Sequence, residues 1–317
     1  NLTPNDTNGM ADVFVRDMQT GLTTRVSVAS DGAQGNGHSG PATFNENYRS
    51  GPSISADGRY VAFNSEASNL VADDTNNLTD VFIHDRVTGA TTRVSVDSSG
   101  AEGDNYSYQP TVSADGRYVA FNSSASNLVG DDTNSRSDVF LHDRQTGVTT
   151  RVSVGSDGTQ GNRDSGSWPP GLSADSRYVL FGSWASNLTD GDTNNLGDIF
   201  IRDRQTGQTH LVSTDSNGVQ GNGVSYRPSI SADGRFIAFA SSSTNLVSQP
   251  TGNINTFWRD LQTGETRLVS LASNGLTGTG PSISFSISGD GRYVAFDSFS
   301  NRVVANDTND HQDVFVR

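Results

Sequence analysis

Short apolar runs punctuate this chain at regular intervals. Tyr60-Val61-Ala62-Phe63 and Val81-Phe82-Ile83 are typical, and stretches of Ser, Thr, Asn, Asp and Gly separate them. No run follows the 3.6-residue period of an amphipathic helix, so the apolar segments predict strands. One unit, residues 52–96, contains four of them: strand A (52–55), strand B (59–63), strand C (80–85) and strand D (91–96). Asp57-Gly58 separates A from B, and Thr88-Gly89 separates C from D. Glycine takes a left-handed conformation at little steric cost, so both dipeptides predict tight hairpins. Strand B is apolar at consecutive positions, which predicts burial on both faces.

The unit recurs at 110–154, at 170–214 and more loosely at 228–270. A fifth copy starts at Pro281 and reaches strand C at the last residue, Arg317, and residues 1–28 hold the back half of a copy. A period of about 58 residues with four strands each describes stacked antiparallel sheets, as in the blades of a β-propeller. Counting by type gives five A, five B, six C and five D strands. Five four-stranded blades would leave one strand C unpartnered. Six blades would need three more strands, D, A and B in that order, directly upstream of Asn1. The expectation is therefore an all-β chain forming one six-bladed propeller over residues 1–317, with an upstream segment trimmed; five blades is the alternative.

The Ser-Ala-Asp-Gly-Arg-Tyr-Val-Ala-Phe core at 55–63, followed by the Asp-Val-Phe strand at 80–82, resembles the TolB-type, WD-like propeller repeat. The resemblance covers nearly the whole chain and implies a propeller. It says less about function, because such blades occur in binding modules, in companions of peptidases and in secreted proteins.

A polar cluster precedes each strand C except one. Aligned on that strand, the first acid is Asp6, Asp74, Asp132, Asp192 and Asp307. The amide two residues on is Asn8, Asn76, Asn134, Asn194 and Asn309, and the last acid is Asp12, Asp80, Asp138, Asp198 and Asp313. Two readings stand. Oxygen ligands at this spacing suit calcium, which takes six to eight oxygens, and the absence of His and Cys from the three aligned positions argues against a zinc-type site. Asp and Asn also cap turns through their own backbone. Repeated acid pairs repel unless neutralised, which tilts the expectation toward metal. In the copy at 228–270, Pro250, Gly252 and Asn255 replace the three positions, so that blade folds without the cluster and is expected to bind no ion.

Charge narrows the partners. The net charge is −14, and all 21 basic residues are arginine. An acidic surface argues against nucleic acid and anionic membrane. No apolar run is long enough for a membrane span, so no membrane insertion is expected. There is no cysteine, so disulfides and thiolate metal sites are excluded. Tyr48, Tyr108, Trp168 and Tyr226 precede strand A and are candidate ligand-binding aromatics, with packing between blades as the alternative. His84 and His142 share one repeat position with Arg16 and Arg202, which predicts an exposed basic side chain; His38, in the least repetitive loop (37–52), is the one histidine worth testing. The Asp57-Gly58-Arg59 turn predicts a hairpin with a local ion pair. Catalytic motifs are absent and the acids are copied between blades, so no unique catalytic pair is visible. The expected function is a non-enzymatic, secreted, periplasmic or cell-surface binding module, stabilised by calcium, for a protein or polysaccharide partner. A carbohydrate-active hydrolase or lyase and a structural subunit of a surface assembly are the alternatives.

Overall fold

The computed structural model describes residues 2–3, 5–40, 51–249, 251–272, 275–278, 280–282, 285–304, 307 and 311–317. Tyr48, Asn309, Pro250 and most of the 37–52 loop lie outside the described residues. The chain divides into two compact units, Asn1–Val152 and Ser153–Arg317.

The first unit holds three antiparallel sheets. β1 (Phe14–Arg16) and β2 (Thr23–Arg25) are strands C and D of a partial blade. β3 (Ser53–Ile54), β4 (Tyr60–Ser65), β5 (Asp80–Asp85) and β6 (Thr91–Arg93) follow as A to D. β7 (Ser107–Val112), β8 (Tyr118–Ser123), β9 (Asp138–Asp143) and β10 (Val148–Arg151) repeat that order. The second unit continues it with β11 (Gly171–Leu172), β12 (Tyr178–Ser183), β13 (Asp198–Asp203) and β14 (Gln208–Leu211). β15 (Ser225–Ile230), β16 (Phe236–Ser241), β17 (Asn255–Asp260) and β18 (Thr266–Leu268) form the next sheet. β19 (Phe285–Ile287), β20 (Val294–Ser298) and β21 (Asp313–Val316) form the last, as A, B and C. Among the described residues the chain is therefore all-β, with strands of the expected types in the expected order and no helix.

Strand periodicity explains the cores. Side chains alternate across a strand, so Val61 and Phe63 of β4 face the preceding sheet while Ala62 faces the next. Ile237 and Phe239 of β16 likewise join a core with β12 and β13, while Ala238 joins one with β20. B and C strands pair in one register, Phe63 opposite Phe82 and Phe239 opposite Phe257. The paired rings lie 6.1 and 5.7 Å apart between centroids. Strand B is buried as its apolar run predicts.

Two sequence expectations change. Strand D ends at its third residue instead of running on through Val-Ser-Val. The cause is Ser95, whose hydroxyl accepts a hydrogen bond from Val81 N (3.1 Å) and takes the place of a ladder bond. The Asp-Gly-Arg turn also carries no local ion pair. Asp57 accepts from Ser55 Oγ and Arg59 N, while the Arg59 guanidinium clamps Asp85 at the far end of β5, with Nε and Nη2 at 2.8 and 2.7 Å. Arg117–Asp143, Arg177–Asp203 and Arg235–Asp260 repeat the clamp. Charge-assisted bidentate pairs are among the stronger hydrogen bonds, and each one closes a B–C hairpin.

The turn glycine has a second duty. A Cβ on Gly116 would stand 2.0 Å from the Tyr60 ring of the preceding sheet, and its φ is +73°. Gly234 meets Tyr178 and Gly291 meets Phe236 in the same way. Gly89 has φ +76° and nothing within 4 Å. Gly116→Ala is expected to cost about 2–4 kcal/mol through ring displacement and backbone strain together, and Gly89→Ala only about 1 kcal/mol through strain. Urea unfolding of the two variants compares them directly.

Candidate functional site

The polar clusters are built from three elements: the loop before strand C, the end of strand D, and the loop after D. The amide belongs to the turn. Asn8, Asn76, Asn134 and Asn194 each accept the N–H two residues on, at 2.9, 2.6, 2.8 and 2.7 Å. The residue after each amide, Gly9, Asn77, Ser135 or Asn195, has positive φ. An Asx turn followed by a left-handed residue accounts for the amide position.

The last acid opens strand C and is buried. Asp80, Asp138 and Asp198 are 0% exposed. The strand D serine donates to one oxygen: Ser27 to Asp12, Ser95 to Asp80 and Ser213 to Asp198. The other oxygen meets an arginine in three copies. Arg25 Nη1 lies 3.1 Å from Asp12 and 3.6 Å from Asp6. Arg93 Nη1 lies 3.6 Å from Asp80 and 3.9 Å from Asp74, and it also pairs with Glu102. Arg151 Nη1 lies 3.5 Å from Asp132 and 3.8 Å from Asp138. Each Nη2 donates to the carbonyl of the residue before the first acid, Asn5, Asp73 or Asp131. In these clusters the arginine of strand D supplies the countercharge. Asp307 and Asp313 stand before and at the start of β21.

The cluster of β13 departs from this pattern. Leu211 occupies the arginine position, yet Asp192 and Asp198 remain. Gln220 Nε2 donates to Asp192 Oδ1 (2.8 Å) and Asp198 Oδ2 (2.9 Å). In the blade of β17 both charges are gone: Leu268 replaces the arginine, and Asn255 accepts from Ser270 (2.9 Å) as the aspartate does elsewhere.

Solved structures match this chain in fold, while no protein-family model and no curated protein sequence matches it. A protein assigned as TolB from Agrobacterium tumefaciens superposes with TM-score 0.52 at 15% identity, covering 96% of this chain and 83% of that one. TolB from Acinetobacter baumannii gives 0.51 at 16%, covering 92% and 57%. An oligogalacturonate lyase in complex with manganese gives 0.53 at 14%, covering 92% and 66%. The fold is that of the TolB-type β-propeller. At these identities the likeness is one of fold.

On the TolB-type blades the candidate aromatics separate. Tyr108 and Tyr226 hold one register position, opposite Asn122 and Ala240. Tyr108 Oη lies 3.1 Å from Ser137 Oγ. Trp168 comes from a longer loop and packs on Tyr226 with ring centroids 5.9 Å apart, and the Arg227 guanidinium lies 4.8 Å above its ring. Gly182 stands where sister strands carry Asn64 and Asn122, and the Trp168 ring lies against it. Trp184, which the sequence reading passed over, is 39% exposed and covers Gly197.

His84 and His142 are buried and not exposed as expected. Their Nδ1 atoms lie 2.8 and 2.9 Å from Thr91 and Thr149 hydroxyls, and burial lowers both pKa values. The threonine of strand D provides a polar seat that the sequence pattern did not reveal. His38 Nδ1 accepts from Ala11 N at 3.0 Å.

Burial pushes Asp80 and Asp198 up to about 6, from 3.8. Between about pH 4 and 6 the folded chain therefore holds protons that the unfolded chain has released, and stability falls as pH rises through that window. The Arg-clamped Asp85, Asp143, Asp203 and Asp260 are lowered. Their stabilisation is present above about 3.8 and is lost below it. Removing Arg93 leaves buried carboxylates uncompensated. Arg93→Leu is expected to destabilise by about 3–5 kcal/mol near neutral pH and by less near pH 5, as read from chemical denaturation at both values.

Proposed function

We infer that this chain is a non-enzymatic interaction module working outside the cytoplasm, which binds a protein or polysaccharide chain at the blade of β11–β14. The main support is where the copies differ. The Arg–Asp clamps, phenylalanine pairs and Ser–Asp bonds repeat from blade to blade. Trp168, Gly182 and Trp184 depart from that repeat within one copy. Aromatic faces beside amide and guanidinium groups suit sugar rings and extended peptides. The reactive side chains weighed for chemistry are held in scaffolding: His38, His84 and His142 by backbone or threonine, Asp12 and Asp80 by arginine and serine, and Asp198 by Ser213 and Gln220. The net charge of −14 keeps the surface well solvated and disfavours nucleic acid and anionic membrane as partners. The fold itself hosts TolB and an oligogalacturonate lyase alike, so the reading rests on the site.

Binding to neutral and acidic polysaccharide arrays and to peptide arrays, with mass spectrometry of the bound material, tests this. Trp168→Ala/Trp184→Ala is expected to weaken binding at least about tenfold, or ~1.4 kcal/mol. Unchanged affinity, or shortened oligogalacturonate products, would overturn the reading, the latter in favour of a hydrolase or lyase.

A further inference from the structure

We propose that the corner of β13, formed by Asp192 and Asp198, binds one free divalent hard cation of the calcium type, in the place that arginine fills in the sister blades. Three copies show what this corner accommodates. Its first acid, its last acid and the carbonyl before the first acid surround a guanidinium, in each case through Nη1 and Nη2. The fourth corner keeps both acids, places Gly191 at the carbonyl position, and carries Leu211 instead of the cation.

The acids there are left with a charge problem. Asp192 is 6% exposed and Asp198 is 0% exposed. Asp192 Oδ2 is buried with no hydrogen-bond partner. Gln220 bridges the pair but adds no charge. Among the described residues no cationic side chain lies within ion-pair distance of either carboxylate. An unpaired buried charge is costly. The neighbouring copy shows the neutral solution, Asn255 with Leu268, in which acid and arginine are absent together. Retaining both carboxylates after losing arginine preserves a site of charge −2 lined with oxygen, which matches a divalent hard cation. Cysteine and histidine are absent from it, and calcium completes its shell of six to eight oxygens with backbone and water. Entry of the ion displaces the Gln220 amide hydrogens from the carboxylates.

The sequence pattern alone offers five equivalent acidic clusters. Among the four of them whose strand D is described, the arginines restrict the free-ion site to one, independently of whether the chain binds a partner.

The test uses the full chain, stripped with EDTA and titrated with calcium chloride by calorimetry, beside thermal melts. One ion per chain is expected. At a hundredfold excess over Kd the melting temperature should rise by roughly 4–8 °C. Leu211→Arg should abolish that rise and lift the ion-free melting temperature, which also shows that the variant folds. Asp192→Asn should abolish the rise without lifting it as far. No response to calcium in the wild type, a response that survives Leu211→Arg, or binding of several equivalent ions would each overturn the assignment.

Discussion

The structure depends on a carboxylate placed where a carboxylate is expensive. The last acid of each cluster opens strand C with no exposed surface in three of the copies. Burying a charge is tolerable only when it is paired and hydrogen-bonded. The serine of strand D supplies the hydrogen bond and the arginine two residues earlier supplies the charge, so strands C and D are joined at their ends by chemistry and not only by ladder bonds. In the blade of β17 that chemistry changes as a set, whereas in the blade of β13 the arginine alone is replaced. The copy with Asn255 has Leu268, and the amide keeps the serine bond while the charge is gone. A pairing requirement explains this coupled change; turn geometry alone does not, since the turn's own amide, Asn194, persists where the arginine is lost.

A second ionic system works at the opposite end of strand C. The guanidinium at the start of strand B crosses to the aspartate closing strand C and stacks at the same time on the aromatic residue that follows it, 4.8 Å above Tyr60 and Tyr118. That ring reaches the turn glycine of the next sheet in three junctions. Hairpin closure, ring position and sheet-to-sheet packing are therefore one linked arrangement. The lack of lysine fits it, because a planar fork is needed for both the bidentate bond and the stacking.

Much of the fold was legible in the sequence, because local signals and the repeat agreed. Asp-Gly turns, consecutive apolar residues in strand B and the copy number together predict the strand order that the structure shows. Pairings between distant repeat positions were not legible. Arg59 was assigned to the acid beside it, yet its partner is 26 residues away. The histidines were judged exposed because arginine stands at their position in other copies, and the threonine that seats them lies on the adjacent strand. The acid clusters were visible, but their arginine was not, since it lies on strand D, about 13 residues beyond the last acid. One signal was available: arginine at this position in the first three copies, and leucine in the two that follow. Tyr48 and Asn309 lie outside the described residues.

The account turns on whether the strand C acid and the strand D arginine stabilise the blade as a pair. A double-mutant cycle on Asp80 and Arg93, 3.6 Å apart, measures that most directly. With Asp80→Asn, Arg93→Leu and both together, a coupling of at least about 2 kcal/mol is expected near neutral pH. The double variant should then be more stable than Arg93→Leu alone, as the natural pair Asn255 and Leu268 implies. Additive losses would show that the two side chains act independently and would contradict the account.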